Sequence, residues 1–437
     1  MTDHSGFNNK KVLFHTLGCK LNFAESSYIS KQMMNEGFVK VKPGEQADVC
    51  IINTCTVTDV ADRKSRQVIG KLHRLHPNAL IIVTGCYAQL KPEEIVNLPG
   101  VDLVLGANEK FDILEHLKGL DKNNPASIQH TEIKQVKQFR HSASREDRTR
   151  YFLKVQDGCD YFCTYCTIPL ARGRSRNAPV SETVAMAQNI IREGAKEIVL
   201  TGVNIGDFGK STGESFLDLL KALDDINADV RFRISSIEPN LLSDEIITFV
   251  AQSKRIMPHF HIPLQSGSDE VLKLMKRKYN RELFAHRVEK IKSLMPDAFI
   301  GVDVIVGVNG ETEEHFEDSA QFINSLDISQ LHVFTYSERA NTKMLQIEHH
   351  NSPAEKRKRS DILHLLSDKK TKAFYEQHIG KSYPVLWENR SHGENMIGFT
   401  SNYIRVEKPI IRASINTVEE VKLGGWNADR TALMAGR

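Results

Sequence analysis

Cys159, Cys163 and Cys166 form a C-x3-C-x2-C run in the segment KVQDGCDYFCTYCTIP. Three thiolates this close in one loop can hold three irons of a 4Fe–4S cube and leave the fourth iron without a protein ligand. A cofactor or substrate can chelate such an open iron. The bland alternative is a zinc knuckle, but structural zinc wants four closed ligands, and no fourth cysteine or histidine stands nearby.

The other cysteines point the same way. Cys19 ends VLFHTLGC, Cys55 ends VCIINTC and Cys86 ends LIIVTGC, each just past an apolar, β-branched run that reads as a strand. In a parallel, doubly wound sheet all strands finish on one edge, so these three thiols should converge although they lie far apart in sequence. A second trio with one open iron is the expectation. Cys50, at the start of its strand, falls on the wrong edge and reads as core packing.

The elements that must position these groups fall into blocks. Residues 1–120 alternate strand candidates (near Val12, Cys50, Leu80 and Val101) with amphipathic stretches at Ala24–Asn35 and Asp59–Leu75, which predicts a parallel sheet with helices on its faces. Residues 121–148 lose that periodicity and read as a linker. From 149 to 375 six strand candidates (FLKVQ, EIVLT, RFRIS, HFHIP, FIGVDVIVG and LHVFTY) alternate with helix-length segments, too few for an eight-stranded barrel, so a partial (β/α)6 barrel is expected. Ser352-Pro353-Ala354-Glu355 supplies a helix start with a capping box, and the helix should run to about His378. Residues 376–437 carry short alternating runs bounded by Gly and Asn, the pattern of a small all-β barrel.

Composition narrows the function classes. The 437 residues include 58 Lys plus Arg and 55 Asp plus Glu, so any nucleic-acid contact must rest on local clusters of charge. Candidates are Arg63 and Lys64 after Cys55, and Arg172 and Arg174 in IPLARGRSR, any of which could instead be solvated surface. No apolar run approaches the length of a membrane span and the start lacks a signal-peptide core, so a cytoplasmic protein with no membrane partner is expected. Seven cysteines in a chain this long do not make a disulfide framework.

The C-x3-C-x2-C spacing after a first barrel strand resembles that of the radical S-adenosylmethionine enzymes. The resemblance implies that the methionine end of S-adenosylmethionine chelates the open iron and that one electron cleaves the cofactor to a 5′-deoxyadenosyl radical. It places Thr201, Gly202 and Asn204 at the methionine, Ser236 and Glu238 near the ribose, and Gln265 in the cofactor pocket. Asp303 and Arg339, on and after later strands, are expected at the substrate.

Three spaced amino-terminal cysteines, this central domain and a carboxyl-terminal barrel together resemble the methylthiotransferases over nearly the whole chain. The segments GCKLNFAES and NTCTVTDVADRKSRQ are similar to the branch that modifies threonylcarbamoyladenosine in tRNA. That branch implies methylthio transfer to C2 of the base at position 37, two 4Fe–4S clusters, the tRNA anticodon stem-loop as partner, an electron donor such as flavodoxin or ferredoxin, and a sulfur donor that the motifs do not identify. Alternatives are transfer to isopentenyladenosine in tRNA or to a ribosomal protein and, in a different class, a non-catalytic iron–sulfur RNA-binding sensor. The tail resembles a TRAM domain, with Tyr403 at an RNA-facing position. The chain departs from the family at Val308-Asn309, where Phe-Pro is usual; the change removes an aromatic surface and a fixed torsion.

Overall fold

A computed structural model describes residues 7–144 and 149–436. They fall into two compact units: 7–144 with 156–162 and 166–176, and 149–155 with 163–165 and 177–436.

The first unit is built on a six-stranded, all-parallel sheet of β1 (Lys11–Thr16), β2 (Val39–Lys40), β3 (Val49–Thr54), β4 (Leu80–Gly85), β5 (Val101–Leu105) and β6 (Ser127–Gln129), in the order β2-β1-β3-β4-β5-β6. β3, VCIINT, is buried at every residue, as a central parallel strand covered on both faces must be. Its alternation divides the core. Cys50 and Ile52 pack with Ile69 and Leu72 of α2 (Asp59–Leu75), whereas Val49 and Ile51 pack with Ile29 and Met33 of α1 (Lys20–Asn35). Thr58 caps α2 by accepting from the Ala61 N–H at 3.1 Å. Burial pushes the Cys50 thiol up to about 12, in keeping with a packing role.

Two features differ from the sequence reading. α1 begins at Lys20, four residues earlier than expected, so Cys19 is its N-cap residue. The expected linker contributes β6, which pairs in parallel with β5; the rest of the linker's end, 145–148, lies outside the described residues.

The second unit carries the six expected strands as two parallel three-stranded sheets: β7 (Arg150–Lys154), β8 (Glu197–Thr201) and β9 (Arg231–Ile234), then β10 (His259–Gln265), β11 (Phe299–Val306) and β12 (Gln330–Thr335). A parallel bridge between Ser236 and His261 links the sheets into one open arc. The helix Pro353–Glu376 starts at the predicted capping box of Ser352 and Glu355.

β13 (Ser382–His392), β14 (Asn395–Thr400), β15 (Arg405–Pro409), β16 (Val418–Trp426) and β17 (Leu433–Ala435) close into a barrel in the order β13-β14-β15-β17-β16, which leaves no free sheet edge. Trp387, Val385, Val406 and Leu433 fill it. Buried ion pairs tie it to the parallel strands. Glu197 bonds Arg233 and Arg231, and Arg233 also donates to the Ser401 and Thr400 carbonyls. Burial opposes ionisation of Glu197, but the two guanidinium groups hold its carboxyl well below the usual range.

Candidate functional site

The strand order of the first sheet reverses between β1 and β3: the chain goes to one side of β1 to form β2 and to the other to form β3. Such a switch point leaves a crevice at the carboxyl ends of the strands. Cys19 follows β1, Cys55 follows β3 and Cys86 opens α3 (Cys86–Leu90) directly after β4. A Cβ added to Gly18 would stand 3.2 Å from Cys55 Sγ, so these two loops touch. Asn22 fastens them, donating to the Leu17 carbonyl at 2.8 Å and the Thr54 carbonyl at 3.1 Å. Thr54 Oγ1 donates to the Thr84 carbonyl at 2.5 Å, which holds the β4 end alongside. Gly85 adopts φ +99°, and a Cβ there would lie 2.3 Å from the Thr54 carbonyl, so only glycine admits this approach.

The three thiols feel one another. Burial pushes Cys55 up to about 11, opposed by the Val57 N–H and reinforced by Cys86 and Cys19. Burial also raises Cys86, while the cations Arg172 and Lys110 pull it down. Those cations belong to a buried network. Arg172 donates to Glu25 at 3.1 and 3.2 Å, to Asp157 at 3.0 Å and to Asn22 Oδ1 at 2.5 Å. Lys110 donates to Glu25 at 2.6 Å, and Arg176 to Asp157 at 3.0 Å.

The C-x3-C-x2-C loop supplies hydrogen bonds to sulfur. Cys159 Sγ accepts from the Tyr161 N–H at 3.3 Å, Cys166 Sγ from the Ile168 N–H at 3.4 Å, and Cys163 Sγ from Arg277 Nη1 at 3.0 Å. Arg277 is held by an ion pair with Glu238 and a bond to Tyr279 Oη at 3.0 Å; Tyr279 in turn donates to the Leu264 carbonyl of β10 at 2.9 Å.

Residues 11–106 match the family described as Uncharacterized protein family UPF0004, and residues 153–323 match the Radical SAM superfamily. The threonylcarbamoyladenosine tRNA methylthiotransferase MtaB of Bacillus subtilis is 39% identical over 420 residues, covering 94% of this chain and 93% of that protein. Its counterpart in Thermotoga maritima is 38% identical, with 91% of each chain covered. The chain belongs to the radical S-adenosylmethionine methylthiotransferases. A tRNA-2-methylthio-N(6)-dimethylallyladenosine synthase of Fusobacterium nucleatum is 33% identical over 90% of this chain and 92% of its own. The radical S-adenosylmethionine methyltransferase TsrM of Kitasatospora setae shares the fold, with a TM-score of 0.55 at 15% identity over 77% of each chain.

The donor sets fit the methylthiotransferase clusters. Cys19, Cys55 and Cys86 are mutually close, cations stand behind them, and each thiol of the second trio accepts a hydrogen bond, as ligating sulfurs do.

Residues expected at the cofactor lie at the carboxyl ends of β8, β9 and β10. Gln265 takes φ +69° at the end of β10, an uncommon conformation for a non-glycine residue, and its buried Oε1 has no partner among the described residues. That strained residue, with its unpartnered amide oxygen, is a ready ligand group. Asn204 is buried and donates to Asp207 at 3.1 Å, Thr201 Oγ1 donates to the Val199 carbonyl at 3.1 Å, Gly202 follows β8, and Ser236 bridges to His261. Glu238 is buried, which raises its carboxyl against the opposing charge of Arg277; Asp207 and Asp303 add to that rise and so lie within its field. Asp303 pairs with His261 at 2.6 Å, and Arg339 is buried beyond β12.

Two expectations are corrected. Arg172, expected at tRNA phosphates, is 3% exposed and fully engaged by Glu25, Asp157 and Asn22; its partners lie up to 150 residues away in sequence, where a local reading of charge does not reach. Tyr403, expected to face RNA, stacks on Phe399 at 5.0 Å and packs against His259 at 4.5 Å, with Arg233 over its ring at 4.9 Å, so it joins the barrel to the parallel strands. Arg63 and Lys64 are exposed on α2, and Arg174 is exposed and stacked on the open ring of Phe162 at 4.8 Å. The sequence reading missed Arg277, Lys110 and Glu25. Arg277 follows β10 within MKRKY, a run that reads locally as solvated charge, and a single basic or acidic residue in a helix carries no sign of its buried partner.

Proposed function

We propose that the chain transfers a methylthio group to C2 of N6-threonylcarbamoyladenosine at position 37 of tRNA. One observation carries the reading: three thiols gathered at the switch point of the amino-terminal sheet, in a chain 39% identical over 94% of its length to an enzyme named for that substrate. The identity to the Fusobacterium enzyme named for dimethylallyladenosine is lower, at 33%.

C2 of adenine has no leaving group other than hydrogen, so acid–base chemistry alone offers no route. When bound, two 4Fe–4S clusters and S-adenosylmethionine supply the radical and methyl-donating chemistry that this carbon requires. Cys19, Cys55 and Cys86 would hold one cluster and Cys159, Cys163 and Cys166 the other. Arg172 and Lys110 pull Cys86 back toward its thiolate against the burial that raises it. Arg277 donates a hydrogen bond to Cys163 Sγ and opposes the burial that raises the Glu238 carboxyl beside it.

Thr201, Gly202, Asn204, Ser236 and Gln265 would orient the cofactor, with Glu238 acting through Arg277. Asp303 and Arg339 would meet the base. Arg63, Lys64 and Arg174 are the exposed cations suited to phosphate contact, and the carboxyl-terminal barrel would bind RNA as a TRAM domain. No helix among the described residues is long and apolar enough to cross a membrane. We place the enzyme in the cytoplasm, reduced by a small carrier such as flavodoxin or ferredoxin.

The test is nucleoside mass spectrometry of tRNA from a deletion strain. The methylthio form of threonylcarbamoyladenosine should vanish while that of isopentenyladenosine remains; persistence of the first refutes the assignment. Release of 5′-deoxyadenosine by reconstituted, dithionite-reduced protein separates the enzyme from a non-catalytic sensor.

A further inference from the structure

His261, Asp303 and His332 stand on three adjacent strands and are drawn to one point. Parallel pairing sets Asp303 of β11 opposite His332 of β12 and Gly301 of β11 opposite His261 of β10. Residues two apart on a strand share a face, so all three side chains emerge on the same side of the sheet. Gly301 leaves room beside His332: a Cβ there would stand 3.2 Å from the Phe299 ring and 3.4 Å from His332 Nε2. The two imidazole rings close to 4.9 Å between centroids, His261 Nε2 lies 2.6 Å from Asp303 Oδ1, and one polar atom from each of the three residues falls within 4.8 Å of the others. None of the three is sealed in the core.

The cluster also borders the chemistry. The N–H of Ile237, next in sequence to Glu238, donates to the His261 carbonyl at 3.0 Å; Glu238 pairs with Arg277, and Arg277 donates to Cys163 Sγ.

We propose that His332 and the His261–Asp303 pair form the subsite that reads the arm on N6 of the target adenosine, and that this arm is of the carboxylate- and hydroxyl-bearing class. The proposal deepens the function given above and rests on it. His332 offers an N–H donor to a carboxylate, while Asp303, oriented by the His261 Nε2–H, offers its remaining lone pairs to a hydroxyl or a urea N–H. An apolar dimethylallyl arm pressed onto these groups would take their water and return no hydrogen bond. A site built from polar groups therefore rejects the apolar competitor more strongly than an apolar pocket rejects a polar one.

The experiment uses cluster-loaded protein and anticodon stem-loop RNAs carrying threonylcarbamoyladenosine, dimethylallyladenosine or plain adenosine at the target position, with Kd read by fluorescence anisotropy. Wild type should prefer the threonylcarbamoyl RNA over the plain one. His332→Leu should cut that preference about tenfold, the loss of one charge-assisted hydrogen bond, without weakening the dimethylallyl RNA. His332→Gln, which keeps a donor, should retain part of it, and wild-type iron content in both variants checks that they fold. An unchanged preference in His332→Leu overturns the subsite alone. Absence of any preference in wild type overturns the proposed substrate itself. Elemental analysis showing a divalent metal other than iron in wild type and lost in His332→Leu would make the trio a cation site and overturn the subsite as well.

Discussion

Arg172→Leu is the substitution whose cost follows most directly from the structure. It deletes a buried guanidinium that makes four hydrogen bonds, two to Glu25, one to Asp157 and one to Asn22. Breaking a buried ion pair from one side costs about 3–5 kcal/mol, because the other charge is left desolvated. Here each carboxylate keeps a second cation, Glu25 with Lys110 at 2.6 Å and Asp157 with Arg176 at 3.0 Å. The lower end, about 3 kcal/mol, is therefore expected. For a unit of this size that is a fall in Tm of about 6–12 °C. The measurement belongs on iron-free protein, since ligated clusters would add their own linked stabilisation. Arg172→Lys keeps the charge but not the fork, so it should fall between the two. Removing the cation also weakens the pull on Cys86 and Cys19, and iron retention under chelator challenge should drop alongside. A leucine variant that melts with wild type and keeps its iron would refute the view that this network supports the sulfur site.

Three other outcomes are expected. Cys19→Ala should lower iron from about eight to about four per chain and abolish methylthio transfer while leaving 5′-deoxyadenosine release, as read by iron assay and product chromatography. Cys55 stands at about 11 against an ordinary 9.0, so folding favours its protonated form: the iron-free protein should lose stability as pH climbs through that window, and cluster reconstitution should release protons and proceed more readily at pH 8.5 than at pH 6.5. Flat pH dependence of uptake would contradict this. Arg277→Leu takes away the donor to Cys163 Sγ, and because such bonds favour the more negative reduced cluster, its midpoint potential should fall in a redox titration; an unshifted potential would show that the contact does not tune the cluster.

What the sequence revealed was whatever depends on short-range pattern and chain direction. The helix Asp59–Leu75 runs over its predicted span because Thr58 caps it and its apolar residues recur at helical spacing. Cys19, Cys55 and Cys86 could be gathered from sequence because a parallel sheet leaves no choice about which edge its strands finish on. Edge strands β2 and β6 were not legible: they are two and three residues long and carry no apolar face to alternate. Arg172 and Tyr403 were misplaced for a related reason. A buried cation and a surface cation are the same letter, and what distinguishes them here is Glu25, 147 residues away. His332 lies within LHVFTY, whose β pattern masked the imidazole that register sets beside Asp303.

The Val308-Asn309 departure shows how the same mechanical need is met by other chemistry. Proline restricts a loop through its own ring, and phenylalanine anchors one by burying area. Val308 instead sits fully buried among Val271, Met275, Tyr336 and Met344. Asn309 Nδ2 donates to the Met344 carbonyl at 3.1 Å, and Asn351 Nδ2 donates to the Val308 carbonyl at 2.8 Å. Glu311 accepts from the Gly307 N–H at 2.6 Å and is held by Arg359 at 2.7 Å. The turn after β11 is thus tied by side-chain hydrogen bonds to segments on either side, which fixes its position without a locked torsion. Because Val308 and Asn309 are both fully buried, whatever side chains stand here pack the turn rather than offer a face for stacking on a base, so the expected loss of an aromatic surface is a change of packing inside the fold.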